Sequence, residues 1–258
     1  MPDIDVRGRI QAGDTVLGTF LFAFPSTAAA RAAVGAGADF VLVDGEHTGF
    51  GWETMTPVLT ATRAAGAAPF VRIPAASRQN VSLALDMGAV GIVVPMVATA
   101  EEAASIASWS RYPPDGVRGA MFGLAAHDYL EVDPAEAMAT SNAETIVIVQ
   151  IETVDGLENV EAIAATPGVD VIWVGHYDLT ISMGIPSDFS NPRYIDAIAR
   201  VVAAARSHSK ALGFLVSGPD HARMLSALGF TVFAYGSDVG LYRQALRTGL
   251  TAIADAVG

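Results

Sequence analysis

The sequence contains no cysteine and only one lysine, Lys210, among its 258 residues. Without cysteine, the chain has no disulfide bonds, no thiolate metal ligands and no cysteine nucleophile. Aspartate and glutamate outnumber lysine and arginine by 27 to 15, which gives a formal net charge of -12. Because nucleic-acid binding needs a basic face, no nucleic-acid partner is expected.

Long hydrophobic runs are also lacking, although 52% of the residues are hydrophobic. A membrane-spanning helix needs about 20 apolar residues, and the apolar stretch at 88–100 is interrupted by Pro95. The first ten residues have neither the basic start nor the apolar stretch of a signal peptide. We expect no membrane partner and a cytoplasmic location.

Short β-branched runs alternate with alanine-rich segments of helical periodicity, which is typical of repeated βα units. No linker or low-complexity segment interrupts the alternation, so residues 1–258 are predicted to form one domain. The pattern predicts an α/β fold, a (β/α)8 TIM barrel, with a doubly wound open sheet as the alternative. The predicted strands are 15–24, 40–47, 69–74, 91–97, 145–153, 169–179, 211–217 and 231–238, and the clearest helices are 26–37, 77–88, 99–109 and 191–208.

Polar side chains gather at the C-terminal ends of these runs, and this favours the barrel. In a barrel all of those ends meet on one face, which carries the active site. The residues in question are Asp44, His47, Arg72, Gln150, Glu152, Asp178, Ser217, Ser237 and Asp238.

Two carboxylates, Glu152 and Asp178, follow the fifth and sixth predicted strands, which are neighbours around the rim. Converging carboxylates suit a hard divalent cation such as Mg²⁺ or Mn²⁺. Either residue alone is more simply interpreted as a cap for the following helix. Because Gln150 points to the same side as Glu152, we favour metal ligation.

The second predicted strand ends in Asp44, Glu46 and His47, and the third ends in Arg72. His47, oriented by Asp44, is a candidate general base near neutral pH, although a purely structural histidine is the alternative. Arg72 is a candidate for stabilising a developing enolate or carboxylate oxygen. It is also expected to pair with Asp44 or Glu46, and the two roles are compatible.

Taken together, these motifs resemble the HpcH/HpaI family of class II pyruvate-dependent aldolases, especially its 4-hydroxy-2-oxoheptanedioate aldolase group. The resemblance covers most of the chain in order, so it is more specific than any single motif. The matching segments are VDGEH (43–47), VRIP (71–74), LDMGAVGIVVPMVATAEEA (85–103), RYPPDGVRG (111–119), VQIET (149–153), PGVDVIWVG (167–175) and DLTISMG (178–184).

The resemblance implies a metal-dependent lyase that joins the enolate of pyruvate, or of a related 2-oxo acid such as hydroxypyruvate, to an aldehyde. It implies Glu152 and Asp178 as ligands of Mg²⁺ or Mn²⁺, with Co²⁺, Ni²⁺ or Zn²⁺ as further options. Arg72 would contact the enolate oxygen, and His47 with Asp44 would form the acid/base dyad. The family usually assembles as a hexamer of two trimers, so a homo-oligomer is expected.

The resemblance also implies substrate contacts from Gln150, from the main chain around Gly175, and from His176 and Tyr177. His176 stands where relatives usually have proline, and Phe122 and Ala126 also depart from the heptanedioate enzymes, so the aldehyde acceptor stays open. Two other functions remain as alternatives. One is an acyl-CoA lyase, disfavoured because the chain has few cations for CoA phosphates, and the other is a non-catalytic barrel that binds 2-oxo acids.

Overall fold

A computed structural model describes residues 5–258. Its eight strands are all parallel and close into one barrel in chain order. The first strand pairs with both the second and the eighth, so the predicted TIM barrel is confirmed and the open sheet is excluded. The strands are β1 (Val16–Leu21), β2 (Phe40–Asp44), β3 (Ala68–Arg72), β4 (Gly91–Val94), β5 (Ile146–Ile151), β6 (Val171–Val174), β7 (Ala211–Val216) and β8 (Val232–Ser237).

Helices follow the strands, and the four that the sequence predicted most clearly are present. Serine or threonine caps at Ser26, Ser77 and Thr99 accept main-chain N–H bonds in the first turns of three of them, which explains where these helices begin. The helices are α1 (Val6–Ala12), α2 (Thr27–Gly35), α3 (Trp52–Ala64), α4 (Arg78–Asp86), α5 (Ala100–Trp109), α6 (Pro134–Glu144), α7 (Val154–Glu158), α8 (Val160–Ala165), α9 (His176–Ser182), α10 (Pro192–Ser207), α11 (Pro219–Leu228) and α12 (Asp238–Val257).

Strand β6 is shorter than the predicted run of 169–179. It ends at Val174, and α9 begins at His176. Pairing with β7 stops one residue earlier, at Trp173, and pairing with β5 stops at Val174. Asp178 therefore lies in the first turn of α9 and not at a strand end, which corrects the predicted boundary.

The barrel interior is a packed apolar core and not a channel. The rings of Phe40 and Phe70 stack with centroids 4.6 Å apart inside it. A Cβ at Gly91 would overlap the ring of Phe70, so the glycine on the neighbouring strand makes room for the aromatic side chain. Because the interior is filled, polar chemistry is confined to the ends of the strands.

Lys210 lies at the opposite end of the barrel from the C-terminal strand ends. Its Nζ donates hydrogen bonds to the carbonyl oxygens of Thr166 and Val169, both of which precede β6. Burial lowers the pKa of the Lys210 ammonium, while nearby Asp170 opposes that effect. The only lysine is thus fixed among the N-terminal ends of the strands.

Helix α12 packs poorly against its own barrel, since none of its residues is buried. Near it, the outward-facing side chains of Leu17 on β1 and Tyr235 on β8 are 49% and 43% exposed. A TIM barrel normally covers the outer face of each strand with helices. This part of the barrel wall is left partly uncovered. Within residues 5–258, no helix has both the length and the apolar character needed to cross a membrane.

Candidate active site

The ends of β2 and β3 bring Asp44 and Arg72 together. The two residues are direct partners in the parallel register. Asp44 is fully buried, the Arg72 side chain is almost so, and Arg72 Nε donates a hydrogen bond to Asp44 Oδ1. The ion pair expected from the sequence is present. A buried guanidinium of this kind is fixed in position before any ligand arrives.

Glu46 holds the other side of the same guanidinium, with Arg72 Nη1 3.2 Å from Glu46 Oε2. That oxygen is buried, and the geometry gives it no hydrogen-bond partner among the described residues. Burial raises the pKa of Glu46, and the charge of Arg72 works against this increase. We call Asp44, Glu46 and Arg72 the arginine cluster.

His47 is carried on the turn that follows Asp44. Its main-chain N–H donates to Asp44 Oδ2 at 2.8 Å, and Thr48 Oγ1 donates to the Asp44 carbonyl oxygen. The imidazole itself is 56% exposed, and its Nε2 lies 3.7 Å from Glu46 Oε2. Asp44 thus contacts His47 through the backbone, and the nearest charged partner of the ring is Glu46.

Two aromatic rings lie beside the arginine cluster. Phe20 and Phe22 stack with centroids 5.0 Å apart, and the guanidinium carbon of Arg72 lies 5.5 and 5.7 Å from those two centroids. Such distances are within the range of cation–π attraction. The rings form an apolar wall that further restricts how Arg72 can move.

Glu152 lies directly after β5, is almost fully buried, and is held by hydrogen bonds on both oxygens. Its Oε1 accepts from the main-chain N–H of Met96 at 2.6 Å, and its Oε2 accepts from Gln150 Nε2 at 3.0 Å. A Cβ at Gly175 would overlap Glu152 Oε2, so a glycine is required for this close approach. The side chain that caps α7 is Thr153, so Glu152 does not have the capping role.

The electrostatics of Glu152 show that several carboxylates share this region. Burial raises its pKa to about 7, and the negative charges of Glu46 and Asp178 add to the increase. Asp178 is exposed in the first turn of α9, where no side chain caps the helix. Neither acidic residue therefore acts as the helix cap that the alternative interpretation required.

These residues fit a divalent cation by charge and by donor type. Oxygen donors suit Mg²⁺ and Mn²⁺, and a cation would offset the burial and the carboxylate repulsion that together raise the pKa of Glu152. Gln150 Oε1 is a further buried oxygen without a hydrogen-bond partner in the described part of the chain. Within residues 5–258 no group of three or more acidic or histidine side chains is arranged as a ready metal site. Two carboxylate ligands would leave further coordination positions for substrate oxygens.

The imidazole of His176 packs among aromatic side chains. Its ring stacks on Phe214 at 4.7 Å and packs near Phe189, in the layer outside the strands. Burial lowers the pKa of His176 to about 4, so the imidazole is neutral at pH 7. His176 and the exposed Tyr177 line a cavity of about 1190 Å³ that is bounded by α10, α11 and α12.

Phe122 and Ala126 lie at the other end of the barrel. Phe122 packs near Tyr112 and His127, and Ala126 lines a cavity of about 690 Å³ beside the starts of β3, β4 and β5. Within one chain, these two residues are therefore on the face opposite the arginine cluster.

The sequence indicated Glu46 only as a possible partner of Arg72, and the structure shows that both Asp44 and Glu46 pair with it. Two features of the site were missed: the Phe22 ring and the main-chain N–H of Met96. Met96 has a left-handed backbone, φ 59°, which is uncommon for a residue other than glycine. No sequence signal indicated that its amide would face Glu152.

Ionisable groups at the C-terminal strand ends of a barrel are where such folds carry active sites, and comparison with known proteins identifies a carbon–carbon lyase of the aldolase type. The chain belongs to the HpcH/HpaI aldolase/citrate lyase family, whose members match residues 18–245. It is 38% identical over 210 residues to the 5-keto-4-deoxy-D-glucarate aldolase of Shigella dysenteriae serotype 1 (strain Sd197), with 81% of each chain covered.

Solved structures agree with the family and the fold. A HpcH/HpaI aldolase/citrate lyase family protein from Burkholderia cenocepacia J2315 superposes with a TM-score of 0.90 at 32% identity, covering 97% of this chain and 99% of the other. The HpcH/HpaI aldolase from Desulfitobacterium hafniense DCB-2 gives a TM-score of 0.89 at 29% identity, covering 96% of each. The resemblance to the HpcH/HpaI family seen in the sequence is confirmed.

Proposed function

We propose that the chain catalyses reversible aldol addition and cleavage between a 2-oxo acid enolate and an aldehyde. The 2-oxo acid is pyruvate or a close relative such as hydroxypyruvate. The observation that carries the proposal is the fixed guanidinium of Arg72, held by two carboxylates in the same region as the buried carboxylate of Glu152. Similarity to a keto-deoxy-glucarate aldolase supports the substrate class.

We assign Glu152 and Asp178 to hold a divalent cation, Mg²⁺ or Mn²⁺ in preference to Co²⁺, Ni²⁺ or Zn²⁺. When bound, the cation supplies Lewis-acid stabilisation of negative charge on the substrate oxygens. Gln150 orients Glu152 by its amide N–H, and Gly175 leaves room for the carboxylate. Arg72 donates hydrogen bonds to the oxygen on which enolate charge develops, and its ion pairs keep it in place.

His47 transfers the proton. In the addition direction its imidazole removes a proton from the methyl carbon of pyruvate, and it returns a proton to the alkoxide formed when the enolate attacks the aldehyde. Asp44 supports this role by fixing the turn that carries His47. Exposure of the imidazole at the mouth lets it reach the substrate.

We expect His47→Ala to slow pyruvate methyl exchange by about a hundredfold or more, because a positioned general base contributes at least that much. Metal affinity, measured by titration calorimetry, should be almost unchanged, since His47 is not assigned as a ligand. His127→Ala is the matched control, because His127 lines the cavity at the opposite end of the barrel. Loss of metal binding in His47→Ala would show that the roles are divided wrongly.

The reaction itself is tested by incubating the enzyme and Mg²⁺ with a panel of 4-hydroxy-2-oxo acids and measuring 2-oxo acid release. Pyruvate release from at least one member is expected. Turnover of a 3-hydroxyacyl-CoA thioester, with no release from any member of the panel, would instead support the acyl-CoA lyase.

We also propose that the protein works as a homo-oligomer, consistent with the hexamer that the family resemblance implies. Support comes from α12, whose exposed apolar residues lie on one face at helical spacing while the barrel wall at Leu17 and Tyr235 is partly uncovered. A second copy of this chain offers the matching surface, because each copy exposes both parts. The apolar residues on this face are Tyr242, Leu246, Leu250, Ile253 and Val257.

We expect Leu246→Glu to shift the protein toward a species near 26.7 kDa in light scattering coupled to size exclusion. A charge in the middle of an apolar contact is costly to bury. Thr248→Glu, on the opposite side of α12, is the control and should leave the assembly intact. A monomeric wild-type protein, or an unchanged mass for Leu246→Glu, would contradict the proposal.

A further inference from the structure

We propose that Asp238 is a positioning residue for Arg72, acting through the loop at residues 22–24 that follows β1. The proposal rests on the function assigned above to Arg72. Asp238 is the first residue of α12 and directly follows β8, the strand that closes the barrel against β1. It does not touch Arg72 in the hydrogen-bond network of residues 5–258, so its influence must pass through the loop.

The Asp238 carboxylate gathers the N–H groups of three consecutive residues beyond the end of β1. Its Oδ1 accepts from Phe22 at 3.0 Å, and its Oδ2 accepts from Ala23 at 2.9 Å and from Phe24 at 2.6 Å. A fourth bond comes from the N–H of Val239 to Oδ1 at 2.8 Å. Hydrogen bonds to an ionised acceptor are stronger than neutral ones, so this carboxylate fixes the loop firmly.

The loop in turn places Phe22 beside Arg72. Phe22 stacks on Phe20, and both rings lie within cation–π distance of the guanidinium. The second aromatic of the loop, Phe24, contacts Tyr242 of α12 edge to face. Asp238 therefore determines where the loop main chain runs, and the loop determines whether the aromatic wall covers Arg72.

Helix capping does not account for this carboxylate. The N-cap of α12 is Ser237, whose hydroxyl accepts from the N–H of Gly240 at 3.2 Å. Asp220, in the first turn of α11, is likewise an acidic residue near the positive end of a helix dipole. Asp220 is exposed, and among residues 5–258 its carboxylate bonds to Arg223 on its own helix and to no other side chain. It is the matched control, because it keeps the helix-terminus effect and lacks the loop.

We expect Asp238→Asn to lower kcat and kcat/KM together for pyruvate methyl exchange, by about ten- to a hundredfold, because small displacements of a catalytic group carry losses of this size. KM should stay within about twofold, since an interaction made mainly in the transition state is being removed. An amide has one acceptor oxygen, so two of the four N–H groups would face an NH₂ group. Asp220→Asn should match the wild type.

Hydrogen exchange followed by mass spectrometry gives a second readout. The peptide covering residues 21–26 should exchange faster in Asp238→Asn than in wild type, while peptides from the rest of the barrel stay unchanged. If the wild type shows no exchange of pyruvate methyl protons, the proposed function fails. The exchange of peptide 21–26 still shows whether the Asp238 carboxylate holds the loop. If the wild type is active and Asp238→Asn keeps its kcat, the positioning role is overturned.

Phe22→Leu keeps the proposal testable if Asp238→Asn does not fold. Removing the ring while keeping apolar cover should lower kcat by roughly two- to fivefold, the effect of one cation–π contact. If Asp238 acts through Phe22, the double variant should be no slower than Asp238→Asn alone. Independent, multiplying effects in the double variant, or wild-type kcat in Phe22→Leu, would contradict the pathway from Asp238 to Arg72.

Discussion

Arg72→Lys is expected to lower turnover by about a hundredfold or more while leaving the barrel folded. In the structure the Arg72 guanidinium uses Nε on Asp44 and Nη1 on Glu46. A planar guanidinium can bond two carboxylates and still present donors to a substrate oxygen, whereas a compact ammonium cannot reproduce that fork. The loss should therefore appear in catalysis and not in folding.

Circular dichroism and the thermal midpoint should show that Arg72→Lys is folded, and Arg78→Lys on α4 is a suitable control. In the described part of the chain, the side chain of Arg78 bonds to the exposed carbonyl of Val117 and to none of the residues assigned to the site. Turnover of Arg72→Lys close to that of the wild type would remove Arg72 from the mechanism.

Treatment with EDTA is expected to abolish activity, and Mg²⁺ or Mn²⁺ should restore it, whereas Lys210→Arg should remain active. An aldolase stabilises its carbanion either through a lysine Schiff base or through a metal acting as a Lewis acid. Lys210 is partly desolvated, as a Schiff-base lysine would be, but its Nζ is bound to carbonyl oxygens that precede β6. It is therefore on the wrong face of the barrel.

Borohydride in the presence of pyruvate should not inactivate the enzyme, because the single lysine, Lys210, is bound at the end of the barrel opposite Arg72. Mass spectrometry provides the direct check. A pyruvate adduct on Lys210, or full activity in a preparation shown to be metal-free, would contradict the assignment of Glu152 and Asp178 to a cation.

The barrel was predictable because parallel strands buried on both sides are continuous apolar runs. The contact between Asp44 and Arg72 was also predictable, since both residues end neighbouring strands and the register makes them partners. The position of each residue at the end of its strand was therefore enough to predict the contact. The same reasoning placed Glu152 at the mouth.

Side-chain direction beyond the strand ends was not predictable in the same way. Asp178 lies four residues after β6, because strand pairing ends at Val174 and not at the end of the predicted run of 169–179. The ring of His176 turns into the outer layer against Phe214, a contact between distant segments that periodicity does not report. His47 contacts Asp44 by its amide, which depends on the local turn geometry.

The partner of α12 could not be predicted from its pattern. An apolar stripe indicates that a helix will cover a surface, but it does not say which one. In this chain the stripe stays exposed and part of the barrel wall is open, and the second copy that we propose as its partner is not encoded in the pattern of one helix. The role of Asp238 was hidden for a similar reason, because its partners are amides more than 200 residues away.

The most direct test of the account is proton exchange at the methyl group of pyruvate, followed by NMR in D₂O with enzyme and divalent metal but no aldehyde. This measurement detects enolate formation without knowledge of the acceptor. We expect the methyl signal to disappear in the presence of metal and to persist with EDTA. With Arg72→Lys and metal, the signal should decay far more slowly than with the wild type. A methyl signal that survives with wild-type enzyme and metal, for pyruvate and for other 2-oxo acids with exchangeable protons, would contradict the account and favour a barrel that binds such acids without turnover.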